Sequence, residues 1–431
     1  MPTWRRLLVS LPLIVLVAVG ARAAFAWNQG RHIPANLVGI VPFQQETGNI
    51  ARSLALGKGF SSPFNQGTGA TAWLTPVYPL LVAGIFRIFG IFTPASFIVA
   101  VALNIAFSAA ASVPIFYTGR KIAGAGVGTS AAWFWALFPN AIMIPYEWIW
   151  DTCLTALLAA TILWFTLKLA ESTRARDWCL YGLLWGFALM TNPALASLLP
   201  VLLGWAVYRA GGCWRGRLAR PALALLVVLL CCVPWTVRNY AAFHHFVPLR
   251  STFPMALWLG HNRVFDPHSP PTTRVTPYEE AREYQRLGEE DFMRKKWTDA
   301  VAFIRTHPSL EVELFEERFV AFWAGLPSPL KRFLDAESFG DRILLLANFL
   351  ATLGTVGGLV AVWIKWRHYA FVLSAFPVIF PWMYYITLPY LRYRQPIDPI
   401  LMLLAALALD ALLHRKSAPP PQAVLSGRAV P

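Results

Sequence analysis

The sequence predicts an all-α polytopic membrane protein of about ten transmembrane helices, with interfacial helices and a mostly helical outer segment. Three observations predict it. Of the 431 residues, 57% are hydrophobic and only 14% charged, against roughly 25% charged in soluble domains. Apolar runs near the ~20 residues needed to cross a bilayer recur along the whole length. The basic residues gather in short connections between those runs: Arg5 and Arg6, Arg120 and Lys121, Arg174 and Arg176, Arg209 to Arg220, Lys365 and Arg367, Arg415 and Lys416. That distribution orients helices by the positive-inside rule.

Taken in order, the first run (Leu7 to Ala24) follows two arginines, as a signal peptide would. Apolar spans follow it throughout the chain, so a retained first helix is expected. The ten predicted spans are 7–25, 96–117, 123–143, 152–170, 178–191, 194–209, 221–237, 342–363, 369–387 and 397–413. A further apolar piece, "TPVYPLLVAGIFRIFG" (75–90), is short and carries Arg87. As a full span it would move Arg120 and Lys121 to the outer side. It is therefore expected to lie in, or dip into, the outer interface.

Both termini then face the cytoplasm. The predicted organisation is an N-terminal transmembrane catalytic module (1–237) with a first outer loop (27–95). An extracytoplasmic segment (238–341), C-terminal transmembrane helices (342–413) and a disordered tail (414–431) follow. In the extracytoplasmic segment a Pro-rich start precedes helical sequence, which His307-Pro308 should divide into two helices.

The net charge of +15 is accounted for by these connections and does not imply nucleic-acid binding. The five cysteines fall in spans or cytoplasmic loops, so neither a disulfide framework nor a C-x-x-C metal site is indicated. There is no G-x-x-x-x-G-K-[ST] loop, no H-E-x-x-H and no D-x-D pair. ATP hydrolysis by the P-loop route is thereby excluded. A metal-bound nucleotide-sugar donor becomes less plausible than a lipid-linked one.

Polar residues at membrane depth are costly and point to function. Five features fall on the predicted outer face. They are Glu46 with "IARSLALGKGF", Glu147 and Asp151 in "PYEWIWDTCLTALL", and Arg238 in "PWTVRNY". The others are Arg250, His261 and Asn262 in "PLRSTFPMALWLGHN", and Arg392 and Arg394 in "LPYLRYRQPIDP". Arginines grip phosphate through charge-assisted, often bidentate hydrogen bonds. A carboxylate can take the proton of an attacking hydroxyl, and Trp73, Trp235 or Trp258 could stack on sugar faces. Each feature also has a plainer explanation. Asp151 suits a helix N-cap, Arg238 a span end, Arg392 and Arg394 lipid headgroups, and Glu46 a solvated loop.

The order of these motifs, from "ETGNIARSLALGKGF" through "TAWLTPVYPLL", "WIWDTCLTALL" and "GLLWGFALMTNP" to "PWTVRNYAAFHHFVPLRSTFPMALWLGHN" and "RYRQPIDPILMLLAAL", resembles one family. It is that of the bacterial class C membrane glycosyltransferases related to protein O-mannosyltransferases and aminoarabinose transferases. The resemblance spans roughly 1–413.

It implies an inner-membrane enzyme taking a sugar from a polyprenyl-phosphate carrier at the outer face, with Glu46 and Asp151 as the catalytic acids. Arg238, Arg392 and Arg394 would hold the donor phosphate, while Trp73, Tyr78, Arg250, His261 and Asn262 would bind substrate. The sequence departs from the pattern where relatives often have Asp in place of Glu46. It departs again where aminoarabinose transferases carry a Lys before a Pro-Pro pair; here Lys58 would supply that contact.

Deprotonation of the acceptor by Glu46, with Asp151, followed by a single displacement would invert the anomeric centre. Arginine can supply the countercharge, so no cofactor is required, although a divalent metal stays open. The acceptor (glycan, lipid or protein) is not specified by any motif. A transporter or flippase of a lipid-linked sugar is the alternative, disfavoured by the absence of internal repeats and by the clustering of polar groups at one face.

Overall fold

The computed structural model describes residues 10–31, 43, 46–64, 67–211, 214–261, 277–325 and 339–414. Asn262, most of the Pro-rich stretch and the tail beyond 414 lie outside them. The described residues are overwhelmingly helical; the only β pairing among them is an isolated bridge between Ser61 and Ala70.

Among the described residues each of the ten predicted spans falls largely on helix. They correspond to α1 (Leu11–Gly30), α4 with α5 (Pro94–Ala110, Ser112–Ala123), α6 with α7 (Ala125–Leu137, Pro139–Glu147), α8 (Thr152–Leu169) and α9 (Ala175–Thr191). A 3-10 turn (Pro193–Leu198) then leads into α10 (Leu199–Arg209). After it come α11 (Trp214–Phe243), α15 (Phe339–Lys365), α16 (Arg367–Ile379) and α19 (Asp398–Leu413). The ninth predicted span, 369–387, is broken: after α16 the chain turns at Phe380 and Pro381, where proline has no N–H to continue the helix, and resumes as the separate α17 (Trp382–Tyr385). Between the spans lie α2 (Glu46–Ala55), α3 (Val77–Phe89), α12 (Phe253–Gly260), α13 (Pro277–Thr306), α14 (Pro308–Ala324) and α18 (Leu391–Arg394). Five helices, counting α4 with α5 as one, are each long and apolar enough to cross a membrane.

The stretch expected as one span over 123–143 is instead a pair bent by 44°. Pro139 explains it, since proline has no N–H to offer the Trp135 carbonyl four residues back. The carbonyls released there are taken by Arg22, a fully buried guanidinium on α1. It donates to Ala136 O (3.0 Å), Trp135 O (3.2 Å), Ala18 O and Ser108 Oγ. The sequence reading overlooked this arginine, whose signal was a cation in the middle of an apolar run.

Helices α15 and α19 pack at backbone contact. A Cβ on Gly358 would stand 2.2 Å from the Leu404 carbonyl oxygen, and one on Gly354 2.6 Å from the Ala405 methyl. Small residues let membrane helices approach this closely. The contact fixes α19, and with it the short α18 that precedes it. His307 separates α13 from α14 as its following proline requires.

Candidate active site

Helix direction brings four chain segments together at one end of the bundle. Helix α8 starts there, α9 ends there, and the returns after α11 and α17 pass over them. They enclose a cavity of about 330 Å3 lined by Asp151, Asn192, Arg250 and Arg392 on its polar side. Leu249, Phe253, Leu259, Met383, Tyr384 and Leu388 line its apolar side. A small niche of about 10 Å3, with room for about one water, lies against the same wall. It is lined by Thr47, Thr75, Tyr78, Asp151 and Arg250.

Asp151 stands at the N-cap position of α8 but makes no side-chain cap hydrogen bond. The capping explanation therefore fails, and its carboxylate is left for the two cavities it borders. Burial raises its pKa to about 6, against the opposing pull of Arg250, Arg392 and hydrogen bonds from Asn192 and Thr155. A carboxylate tuned to that range ionises at neutral pH yet keeps appreciable basicity.

Arg392 stands beside it. Its guanidinium carbon lies 4.0 Å from the Trp148 ring centre, 4.8 Å from Trp150, 5.0 Å from Tyr390 and 5.1 Å from Tyr393. Its Nη2 donates to Tyr393 Oη at 3.3 Å, whereas Nε and Nη1 are shielded from solvent and have no partner among the described residues. Buried donors are almost always paired, and each one left unpaired costs about 1–3 kcal/mol. Two such donors beside a cavity have the chemistry that an anion would satisfy. Arg250 Nε donates to Trp73 O (3.1 Å) and to Thr252, and the residue lines both cavities. Glu46, the first residue of α2, is half-buried, and its charge acts on Arg392.

The remaining sequence-predicted site residues are placed elsewhere. Arg238 donates to Thr71 O (2.7 Å) and Phe60 O (2.6 Å) and packs on Trp235. Lys58 is exposed on the turn after α2. Trp73 sits in an aromatic cluster with Phe64, Tyr284 and Phe292, with its carbonyl on Arg250. Tyr78 donates to Asn104 (2.7 Å) at the edge of the niche. His261 is buried 2.7 Å from Glu311 and beside Arg318, outside the cavity lining.

Arg394 is fully buried, paired with Asp398 (2.8 Å) and bonded to Trp323 O and Asn348. It points away from the cavity and ties α18 to α14, α15 and α19. Arg394→Met is expected to lower the melting temperature sharply, because a lone buried Asp398 costs ~3–5 kcal/mol. Adding Asp398→Leu should restore much of the loss. A single variant that melts like wild type would refute this structural role.

Among the described residues no group of three or more His, Cys, Asp or Glu is placed to hold a metal ion. The cavity's polar side, one carboxylate facing two guanidiniums, suits an anion.

Residues 74–237, less than half of the chain, match the family described as dolichyl-phosphate-mannose-protein mannosyltransferase. Over 86 residues the chain is 42% identical to an undecaprenyl phosphate-alpha-4-amino-4-deoxy-L-arabinose arabinosyl transferase of Pseudomonas paraeruginosa, and 41% identical to that of Pseudomonas aeruginosa. Each match covers 20% of this chain and 16% of the relative, so it spans a small part of either protein.

The backbone is similar to that of the oligosaccharyltransferase of Archaeoglobus fulgidus, with a TM-score of 0.58 at 13% identity over 94% of this chain and 50% of that one. It is also similar to the archaeal oligosaccharyltransferase AglB of Archaeoglobus fulgidus in complex with an inhibitory peptide and a dolichol-phosphate (TM-score 0.57, 13% identity, 96% and 51% covered). The resemblance to the class C (GT-C) membrane glycosyltransferases thus holds in sequence over residues 74–237 and in fold over 94% of the chain.

Proposed function

We propose that this polytopic chain, which shares the GT-C glycosyltransferase fold, transfers a sugar from a polyprenyl-phosphate carrier to an acceptor hydroxyl at the outer face of the membrane. The observation that carries this reading is the pairing, in one cavity, of a raised-pKa carboxylate, Asp151, with the two unpartnered donors of Arg392. The arabinosyl transferases named above use an undecaprenyl phosphate-linked sugar, and AglB binds a dolichol-phosphate. A donor of that class fits the cavity's charge and its apolar wall.

In this reading Arg392 and Arg250 hold the donor phosphate. Asp151, with Glu46 on the α2 side, orients the acceptor hydroxyl and takes its proton as oxygen attacks C1 of the sugar. The C1–O bond to phosphate breaks, its electron pair goes to the departing polyprenyl phosphate, and the fixed guanidiniums stabilise the growing charge. One displacement inverts the anomeric centre.

Helix directions support the outer placement. Lys168, Arg174, Arg209, Lys365 and Arg367 fall at the helix ends opposite the cavity, and the positive-inside rule assigns that end to the cytoplasm. A lipid transporter would carry exposed charge near the bilayer midplane. Arg22, inside α1, is instead enclosed by four oxygen acceptors.

Native mass spectrometry of the purified protein tests the donor class. Wild type should retain a polyprenyl phosphate or its glycosylated form, and the Arg250→Ala, Arg392→Ala double variant should lose it. Retention of ordinary phospholipids alone, unchanged in the variant, would overturn the reading.

A further inference from the structure

Residues Thr71, Ala72 and Trp73 form a buried irregular passage ahead of α3, and nearly every backbone polar group in it is engaged. From α13, the Glu289 carboxylate accepts from Ala72 N (2.8 Å) and from the Thr71 hydroxyl, which in turn accepts from Trp73 N (2.9 Å). From α11, Arg238 donates to the Thr71 carbonyl (2.7 Å). The Ala72 carbonyl accepts from Ser251 N (3.0 Å), and the Trp73 carbonyl accepts from Arg250 Nε (3.1 Å).

Glu289 is itself buried, with Tyr284 Oη 2.6 Å away as a third donor. It follows Gly288, whose φ of +77°, a conformation open to glycine at little cost, kinks α13 at that point. Two charged side chains from separate elements thus clamp three residues. Those residues present one carbonyl to Arg250 and brace its neighbour.

We propose that Glu289 is a positioning residue: acting through residues 71–73, it fixes the Arg250 guanidinium toward the phosphate-binding cavity and so couples the outer segment to donor binding. This rests on Arg250 being a phosphate ligand. An arginine loses less rotamer freedom on binding when its fork is already held, and the Trp73 carbonyl holds one edge of it. Removing the charge of Glu289 weakens the bonds to Ala72 N and Thr71, so the carbonyl is no longer fixed. Arg238, whose guanidinium is bound to two carbonyls, belongs to the same clamp and is not among the residues lining the cavity.

The test is binding of farnesyl phosphate to the full-length protein in detergent, measured by calorimetry. The proteins compared are wild type, Glu289→Gln, Arg250→Ala and the double variant, each matched for melting temperature. Glu289→Gln is expected to weaken binding roughly tenfold, the scale of a charge-assisted hydrogen bond. In the Arg250→Ala background it should change binding less than about twofold, the non-additivity of coupled groups. Thr71→Val should act in the same direction more weakly.

Unchanged binding in Glu289→Gln, or equal losses in both backgrounds, would overturn the proposal. If Arg250→Ala alone bound as wild type, the phosphate role of Arg250 would fall and the relay with it.

Discussion

Asp151→Asn is expected to cut the turnover of sugar transfer by about 10²–10⁴-fold, the range of general-base catalysis, while leaving the donor lipid bound. The side chain has the same shape, and it makes no cap bond to α8 whose loss would unfold the helix start. What disappears is the basic carboxylate facing both the cavity and the niche.

The pH dependence supplies the sharper test. Burial holds the Asp151 carboxyl at about 6, so the ionised, basic form dominates at pH 7 and the protonated form dominates at pH 5. Transfer by the wild type should fall about tenfold per pH unit below 6 and level off above it. The residual activity of Asp151→Asn should lack that limb. Measurement is of initial rates between pH 4.5 and 8, with native mass spectrometry confirming that donor is still bound. An acid limb of the same position in Asp151→Asn would transfer the base role to another group, with Glu46 the first to examine by Glu46→Gln.

How much of this was legible in the chain depends on what each residue's partner is. Apolar runs, basic connections and the His307-Pro308 break announce themselves locally, because bilayer thickness and proline chemistry act on contiguous residues. The predicted spans accordingly fall largely on helix, the ninth broken at Pro381. The bend at Pro139 was missed because the run on either side of it is apolar enough to mask the lost hydrogen bond.

Among the charged residues, the sequence marked segments and could not sort which residues within them line the cavity. Arg392 and Arg394 are two positions apart on one short helix. Yet one is ringed by aromatic side chains at the cavity, and the other is locked to Asp398 in the core. The i, i+4 spacing of Arg394 and Asp398 was the available signal for the structural pair. Arg238 carried no such signal, since its acceptors are the backbone carbonyls of Phe60 and Thr71, more than 160 residues away. Backbone acceptors leave no trace in composition. Glu289 was passed over for the same reason, as one acid among many on an amphipathic helix, although it is buried where its neighbour Glu290 is not.

Arg392→Ala is expected to lower turnover by about 10²–10³-fold, the effect of removing one donor aimed at developing charge. The reasoning starts from cost. A shielded guanidinium with two unpaired N–H groups is unfavourable in the resting protein, and four surrounding rings offset part of that through their quadrupoles.

Such an arrangement holds the cation rigid and dehydrated before substrate arrives, so no solvent must reorganise as negative charge accumulates on the leaving phosphate. Arg392→Lys keeps the charge but loses the planar fork and the stacking, and should recover only part of the rate. Trp148→Leu leaves the arginine in place and weakens the closest ring contact, worth about 0.5–2 kcal/mol. Its turnover should fall only about 3–30-fold.

The kinetic split decides what the cage does. Loss in kcat with little change in donor KM means the guanidinium acts on the transition state; loss confined to KM means it binds donor and transition state alike. The graded order of wild type, Trp148→Leu, Arg392→Lys and Arg392→Ala in kcat, measured with the donor lipid identified by mass, is the expected result. Full turnover in Arg392→Ala would remove the residue from the chemistry and return the leaving-group charge to Arg250 alone.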